Sequence, residues 1–473
     1  MKTTSLKIVF QIALITLLFT NISFSQSNNW QRIYSGPSTI SDFKTESVCK
    51  SDGDNTILFI TDNFNHRECI YKLNTFGDII QTKYYTDRIG KASVSSGDGG
   101  VVFSSDANNP YSAKIDFNCE EIWFKTYNFG GSGSICNDII RTCDGFFVLA
   151  GGGYGIKIKT NGDFIWRKGY PMGVSHEFTS VIECPDGNYV FGGYGREFLG
   201  APLIGVVTKV DTSGTVIWEK KYSLNSLYNF NNVRITKTAN NFYLSGWEYE
   251  PVYDKCYISI LKLDFSGNII DTFKYNFYNT DNYITDTKGF NSNKIIVTYV
   301  RQSFYGDTAL SSAFIIDTLG NVLVNREYGG TDFTWISKIY PIPPNTIYLV
   351  GNSKHISLHE HAYLIKTDTT LFAPPVSIQN STQTVPESFY LEQNYPNPFN
   401  NSTQITFGII KKGIYKLMVY DVTGKLVDEL FNQSLEPGEY KTDFKAEKLS
   451  SGIYFYRLES DKALITKKFV LLK

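Results

Sequence analysis

One strand pattern recurs along most of the chain and limits the fold more than any other feature of the sequence. Trp123, Trp166 and Trp218 are each followed four residues later by a tyrosine. Three further segments keep the tyrosine alone, so the full series is Tyr85, Tyr127, Tyr170, Tyr222, Tyr275 and Tyr328. Alternate residues of a strand share one face, so each Trp–Tyr pair should pack against a neighbouring sheet. Spacings of 42 to 53 residues are typical of four-stranded β-propeller blades and not of helical repeats.

Each repeat predicts four short antiparallel strands. The clearest copy has strands near Ser180–Glu183, Tyr189–Gly193, Val206–Val210 and Val216–Tyr222, joined largely by turns that contain Asp and Gly. The composition agrees, because 32 Tyr and 34 Phe favour strands and 38 Gly favour turns. The sequence therefore predicts an all-β chain.

The two ends of the repeat region predict a closed ring. The last repeat, from about Ile336 to Asp368, has no fourth strand, whereas Trp30–Tyr34 near the N-terminus has the same Trp-to-Tyr spacing. We therefore predict a seven-bladed β-propeller, residues 26–372, closed by the N-terminal strand. An extended β-solenoid would show shorter and stricter repeats. A different number of blades stays open, because the first and sixth repeats are degenerate.

The first 25 residues have the order of a secretory signal peptide. Lys2 and Lys7 precede an apolar run, Ile8–Phe19, and the small residues Ser23 and Ser25 follow it. The run is short of the roughly 20 apolar residues that a spanning helix needs, and no later segment is long enough. We expect an exported, soluble protein without a transmembrane segment.

Charge and cysteine content exclude several classes of partner and site. Lys plus Arg (45) nearly equals Asp plus Glu (46), so no overall field attracts nucleic acid. The seven cysteines are an odd number, which leaves at least one without a disulfide partner within the chain. Neither a Cys/His zinc spacing nor a nucleotide-binding or Gly-x-Ser-x-Gly fingerprint is present, and no cofactor is implied.

The C-terminal region predicts a separate small domain. A Pro/Ser/Thr linker, residues 373–388, precedes residues 389–473, where short alternating strands are separated by a turn every 8–12 positions. This pattern predicts a small Ig-like β-sandwich.

The same region resembles the type A C-terminal sorting domain of the type IX secretion system of two-membrane bacteria. The matching residues are Tyr395, Pro396, Asn397, Pro398, Phe399, Asp421, Gly424, Gly452, Lys467 and Lys468. The resemblance implies that the secretion machinery is a partner, and that the chain passes from the periplasm to the medium or the outer cell surface. An ordinary Ig-like accessory module is the alternative. Asn401 departs from the family pattern, in which another proline is frequent.

The candidate binding residues lie in the middle loops of the repeats. In an antiparallel blade the first and third turns share one end, and the middle loop and the connection to the next blade share the other. The middle loops of four consecutive repeats, residues 195–202, 248–255, 302–312 and 351–361, are long. Variable loops on a rigid scaffold usually carry binding. These loops contribute the aromatic residues Phe198, Trp247, Tyr249, Tyr253, Phe304 and Tyr305. The alternative is that some of these rings only cover blade edges.

His355, His359 and His361 fall in one of these loops and are close enough to share a transition metal, although solvated loop histidines are common. We predict a non-catalytic binding module for an extracellular glycan or protein. The alternatives are an extracellular enzyme, either a polysaccharide lyase or hydrolase or a quinoprotein-like oxidoreductase, and a structural surface-layer component. An enzyme should show converging acids, histidines or a Ca²⁺ site at the central funnel, and a binder should show an apolar, aromatic patch.

Overall fold

A computed structural model describes most of the chain after the predicted signal peptide, which lies outside the described residues. The described residues are 29–34, 43–50, 55–62, 65, 67–86, 90–105, 111–127, 136–170, 173, 175–223, 229–250, 255–278, 280–302, 309–328, 333–354, 360–373, 378–379, 388–400, 402–411, 413–435, 438–446, 449–460 and 463–472. They form strands and turns, and this part of the chain contains no helix.

Seven four-stranded antiparallel sheets form from the described residues up to Thr367. Sheets 1 to 3 consist of β2 (Phe43–Lys50), β3 (Thr56–Asp62), β4 (Arg67–Leu73) and β5 (Ile79–Thr86); β6 (Ala92–Ser95), β7 (Val101–Ser104), β8 (Tyr111–Ile115) and β9 (Glu121–Thr126); and β10 (Asp138–Arg141), β11 (Phe147–Gly151), β12 (Tyr154–Ile158) and β13 (Phe164–Gly169).

Sheets 4 to 7 continue the same order. They consist of β14 (Ser175–Glu183), β15 (Tyr189–Arg196), β16 (Ile204–Val210) and β17 (Val216–Tyr222); β18 (Phe230–Lys237), β19 (Phe242–Glu250), β20 (Lys255–Leu263) and β21 (Ile269–Tyr275); β22 (Asp281–Phe290), β23 (Lys294–Gln302), β24 (Ala309–Asp317) and β25 (Val322–Tyr328); and β26 (Phe333–Ile342), β27 (Thr346–Lys354) and β28 (Glu360–Thr367) with β1 (Trp30–Tyr34).

The sheets follow one another around a ring. The first strand of each sheet contacts the first strands of both neighbours, in the order β2, β6, β10, β14, β18, β22 and β26, and β26 contacts β2 again. These strands therefore surround a central channel, and each sheet packs face to face on the next. Antiparallel four-stranded sheets in this arrangement form a β-propeller.

The N-terminal strand completes sheet 7, as the sequence predicts. β1 pairs antiparallel with β28, with Trp30 opposite Lys366 and Tyr34 opposite Ala362. The Trp30 ring packs edge to face on Tyr348 of the same sheet, with ring centroids 6.3 Å apart. Residues from the start and the end of the ring region thus share one sheet.

A repeated hydrogen bond, here called the tyrosine clasp, joins each sheet to the next. The hydroxyl group of the last tyrosine of one sheet donates to a backbone carbonyl in the third turn of the following sheet, at 2.6–2.9 Å. The accepting residue has a positive φ, between 54° and 84°. The pairs are Tyr34 with Gly77, Tyr85 with Cys119, Tyr127 with Gly162, Tyr170 with Gly214, Tyr222 with Gly267, Tyr275 with Gly320, and Tyr328 with Leu371.

The packing around the clasp explains why most of the accepting residues are glycines. A Cβ atom on Gly77 would lie 2.8 Å from the Trp30 ring, which already fills that space. Three fourth strands lack a tryptophan; in one of them Phe273 fills the space, 2.5 Å from where a Cβ atom on Gly320 would lie, and in the other two the turn residue carries a side chain instead. Cys119 packs with Phe124, and Leu371 packs with Val324; both turn side chains are fully buried. The space beside each accepting residue is therefore filled either by a side chain of the fourth strand or by the side chain of the turn residue itself.

The C-terminal residues form two further four-stranded sheets with one shared core. β29 (Ile378–Gln379), β34 (Gly438–Lys445), β31 (Ser402–Ile409) and β30 (Tyr390–Leu391) form one sheet, and β33 (Leu426–Leu435), β32 (Gly413–Tyr420), β35 (Gly452–Glu459) and β36 (Leu464–Leu471) form the other. Phe407, Leu417, Tyr456 and Phe469 are among the buried residues between them. The short strands separated by turns agree with the strand pattern that the sequence predicts for this region.

Candidate binding site

The ring has two chemically different ends. First and third turns project at one end, here called the turn end. Middle loops and the connections between sheets project at the other, here called the loop end. The candidate binding residues belong to the loop end because they follow second strands.

The loop between β15 and β16 presents two exposed apolar side chains at the loop end. Phe198 is 63% exposed and Leu199 is 88% exposed. The loop is anchored where it returns to the sheet: the Leu203 amide donates to Asn229 Oδ1 at 2.7 Å, and the Leu203 carbonyl accepts from the Phe230 amide at 2.8 Å. Two adjacent exposed apolar side chains on an anchored loop form a candidate contact surface.

The other predicted aromatic residues divide into two groups. Tyr249 is 40% exposed at the end of β19. Trp247, two residues earlier, is half-buried and packs edge to face on Tyr283 of sheet 6, with ring centroids 5.0 Å apart. Trp247 therefore contributes to the junction between sheets 5 and 6. The remaining predicted residues, Tyr253, Phe304 and Tyr305, lie outside the described residues.

A fixed carboxylate lies on the same end of the ring and was not predicted from the sequence. Glu177 Oε1 accepts from Asn137 Nδ2 at 2.8 Å, and Glu177 Oε2 accepts from the Tyr194 hydroxyl group at 2.8 Å. Burial and the Glu177 carboxylate raise the pKa of Tyr194, so Tyr194 remains a donor. The three residues come from sheets 3 and 4, which meet only in the folded ring, and no spacing in the sequence indicates their contact.

Charged side chains near the channel form pairs. Glu46 lies 3.3 Å from Lys91, Asp138 lies 3.3 Å from Lys288, and Asp286 lies 3.4 Å from Arg234. Each of these acids therefore has a cation beside it.

Lys338 from sheet 7 reaches into the same region and donates to the backbone carbonyl of Lys91. Burial and the neighbouring charge of Arg234 lower the pKa of Lys338, while Asp138 and Glu46 act in the opposite direction. The channel is therefore lined by side chains of both signs contributed by sheets on all sides.

The histidine and cysteine residues were the other candidates for metal or redox chemistry. His361 lies in β28 opposite Ser353, and His355 and His359 lie outside the described residues. In the described part of the chain, no group of three His, Cys, Asp or Glu side chains is arranged to hold a metal ion. The seven cysteines form no disulfide in the structure; six are buried and Cys143 is exposed.

The two halves of the predicted sorting motif come together in space. The Phe399 amide donates to the Val470 carbonyl at 3.1 Å, and the Val470 amide donates to Asn397 Oδ1 at 2.8 Å. Tyr395 is 82% exposed, whereas Phe399 is buried in the core. The segment Tyr395–Phe399 therefore fastens the last strand, which carries Lys467 and Lys468.

The remaining motif residues shape two turns. Asp421 Oδ1 accepts from the amides of Thr423 and Lys425 at 2.9 and 3.0 Å, and Gly424 has a φ of 81°. Gly452 begins β35. Within the described residues, no helix is long and apolar enough to cross a membrane.

Comparison with protein families agrees with the C-terminal motif. Residues 393–472 match the family described as secretion system C-terminal sorting domain. This domain indicates export of the chain to the cell surface or into the medium. No curated protein matches the chain significantly.

Among solved structures, the chain is similar to a protein of unknown function from Bacteroides caccae, at 15% identity over 57% of this chain and 90% of that chain, with a TM-score of 0.38. It is also similar to the β-propeller domain of the Trilobed protease from Pyrococcus furiosus, at 11% identity over 70% and 98%, with a TM-score of 0.44. A third is the WD40 β-propeller domain of Doa1, at 11% identity over 71% and 96%, with a TM-score of 0.44. The strand pairing and the ring of contacts between sheets establish the β-propeller fold.

Proposed function

We propose that the chain is an exported binding protein that recognises an extracellular glycan or protein at the loop end of a seven-bladed propeller. In this proposal residues 1–25 are a signal peptide, residues 26–372 form the propeller, residues 373–388 are a linker, and residues 389–473 are an Ig-like sorting domain. Each of the seven sheets is one blade.

The exposed pair Phe198 and Leu199 carries the proposal. Two large apolar side chains on an anchored loop favour a contact surface over a catalytic centre, and Tyr249 lies on the neighbouring sheet at the same end. Glu177 adds a carboxylate held by two donors, which can accept hydrogen bonds from ligand hydroxyl or amine groups. Rigid aromatic and apolar contacts with a few fixed polar groups are typical of binding surfaces.

The ion pairs of the channel favour a structural role for its paired acids over a role in acid–base catalysis. Among the described residues, Glu46, Asp138 and Asp286 each lie within 3.5 Å of a cation. Removing the charge of any one of them should therefore change stability more than it changes any chemistry at the surface.

A glycan array and a pulldown with the full chain test the binding proposal. We expect the double variant Phe198→Ala/Leu199→Ala to lose at least about tenfold in affinity for the ligand that is found, which corresponds to about 1.4 kcal/mol. Leu319→Ala is the matched control, because Leu319 is 71% exposed in a third turn at the opposite end. Equal losses in the two variants would show that the loop end is not the contact surface.

Deletion of residues 389–473 tests the export route. We expect the truncated chain to accumulate in the periplasm of a cell that has the type IX system, whereas the full chain reaches the surface or the medium. Fractionation followed by immunoblotting measures the distribution. Secretion of the truncated chain at the level of the full chain would contradict the assignment.

A further inference from the structure

The turn end carries a cavity of about 650 Å³ that the proposed function does not use. It opens between the first turns of sheets 4 to 7, on the side of the ring opposite Phe198 and Tyr249. Cavities of roughly 300–1,000 Å³ are typical of small-molecule sites. Its position at the inner ends of the first strands places it at the mouth of the central channel.

The walls of the cavity are apolar and its charged groups are all cationic. Ile182 and Pro185 line one side, and Pro341 and Pro343 line the other. Of the thirteen described residues that line it, two are lysines, Lys237 and Lys288, and none is acidic. Thr236, Thr238, Asn291 and Ser292 add hydroxyl and amide groups to the lining.

Lys288 lies on the channel side of the cavity and has donor capacity left for a ligand. Its Nζ atom lies 3.3 and 3.5 Å from the two Asp138 oxygens, longer than the roughly 2.7–2.9 Å of a strong charge-assisted hydrogen bond. An ammonium group has three donors, and Asp138 lies on one side of it. Burial alone would lower the pKa of Lys288, but the charges of Asp138 and Asp286 outweigh it and raise that pKa, so the group stays cationic.

Lys237 is the second cation, and its charge is not balanced locally. Its Nζ atom donates to the backbone carbonyl of Glu183. Among the described residues, no carboxylate lies within ion-pair distance of Lys237. Asp138 and Asp286 offset the charge of Lys288, so Lys237 supplies the unbalanced positive charge at the cavity, which favours an anion.

We infer that this cavity binds a small organic anion, with its acidic group against Lys237 and Lys288 and its apolar body between Pro341, Pro343 and Ile182. The site is separate from the loop end and does not depend on the function proposed for that end. The prolines are rigid, so the apolar walls require little ordering when a ligand enters. Carboxylates and phosphates share the chemistry that the two lysines recognise.

Isothermal titration of the full chain with three matched probes tests this site. Phenylacetate carries a carboxylate, phenyl phosphate carries a phosphate, and phenylacetamide has the same shape as phenylacetate without the charge. We expect at least one of the two anions to bind about tenfold or more tightly than the amide, and to weaken as salt is raised. Comparison of the two anions identifies the preferred head group.

Three variants locate the site. Lys237→Met should weaken the anion at least about tenfold, and it leaves no buried carboxylate without a partner. Asp138→Asn/Lys288→Met removes both members of the channel pair together and should remove the preference for the anion over the amide. Lys220→Met is the control, because Lys220 bonds to Asn268 on the outer edge of the ring and lies outside the cavity.

Three outcomes would overturn the inference: equal binding of all three probes, absence of binding by both anions, or unchanged anion binding in Lys237→Met. The Lys237→Met variant gives an answer even if the double variant does not fold. Phe198→Ala/Leu199→Ala should leave anion binding unchanged, so failure of the loop-end proposal and failure of this one can be told apart.

Discussion

The two ends of the ring are made from the same strands but differ in how much their connections vary from sheet to sheet. At the turn end, every sheet repeats the same tyrosine clasp, with hydrogen bonds of nearly equal length. At the loop end, the connection between second and third strands ranges from residues 152–153 in sheet 3 to residues 197–203 in sheet 4. Interactions that recur at one end leave the other end free to vary, which is the usual division between scaffold and binding surface.

The largest expected effect comes from the tryptophan that closes the ring. Trp30 is buried, covers Gly77 and donates from Nε1 to the Thr75 carbonyl at 2.8 Å. We expect Trp30→Ala to lower the free energy of unfolding by about 3–5 kcal/mol. Trp335→Ala is the matched change near the loop end, where the side chain is 41% exposed, and should cost less than about 1 kcal/mol.

Urea unfolding followed by circular dichroism measures both variants. Similar losses would mean that the ring is not held mainly at its turn end. A loss of less than about 1 kcal/mol in Trp30→Ala would mean that the N-terminal strand does not close the ring in solution.

Most of the structure at the turn end can be predicted from the sequence, because the same residues recur in each repeat. The Trp-to-Tyr spacing in Trp30–Tyr34 predicted the pairing of β1 with sheet 7, and that pairing is present. The last copy of the third turn, Asp368–Leu371, was not recognised from the sequence because leucine replaces the usual glycine. Its Thr370 amide donates to Asp368 Oδ1 at 2.8 Å, as the equivalent amide does to an Asp or Asn side chain in five of the other six copies. Only the packing partner, Val324 in place of a tryptophan, explains the leucine.

The candidate sites could be predicted only in part. Loop length and aromatic content identified Phe198 and Tyr249, and both are exposed at the loop end. The same criteria selected Trp247, which instead packs on Tyr283. The contact of Asn137 with Glu177 and the cavity beside Lys288 are formed by residues of different sheets. Such contacts leave no local pattern, because they depend on the angle at which neighbouring sheets meet.

Two glycines separate the role of backbone conformation from that of packing at the turn end. Gly267 and Gly187 have φ angles of 79° and 77°, but a Cβ atom on Gly267 would lie 2.9 Å from the Trp218 ring, whereas nothing lies within 4 Å of one on Gly187. We expect Gly187→Ala to cost about 1–2 kcal/mol from strain alone. Gly267→Ala should cost about 1–3 kcal/mol more from overpacking.

Thermal and urea unfolding of the two alanine variants gives the comparison. Equal costs would show that the clasp can relax around an added methyl group. In that case the tryptophan rings would contribute less to the regularity of the turn end than the hydrogen bonds do.

The smallest expected effect concerns pH, where the two ends carry acids of opposite character. Asp98 lies in a first turn; burial acts to raise its pKa, but hydrogen bonds from Lys114 and Ser96 and the Lys114 charge outweigh burial and lower that pKa to about 2. Glu68 lies near the loop end of β4 and is fully buried. Burial raises the pKa of Glu68 well above its usual value, although the Gly90 amide and Lys91 oppose it.

These shifts predict opposite dependence on pH. A carboxyl group whose pKa is lower in the folded state stabilises the fold above the unfolded-state pKa of about 4, and this contribution is lost as the pH falls towards 2. A carboxyl group whose pKa is higher in the folded state gives a contribution that is lost as the pH rises through the folded-state pKa. Asp98→Asn should therefore destabilise at pH 7 by about 1 kcal/mol or less, since the Asp98 side chain is 60% exposed although Lys114 is buried, and this difference should be largely lost near pH 2. Glu68→Gln should gain stability relative to the natural chain as the pH rises from about 4 to 8, because a neutral amide replaces an acid that ionises at a cost. Melting temperatures across this range measure both differences, and parallel curves for the two variants would show that the ends do not differ in this way.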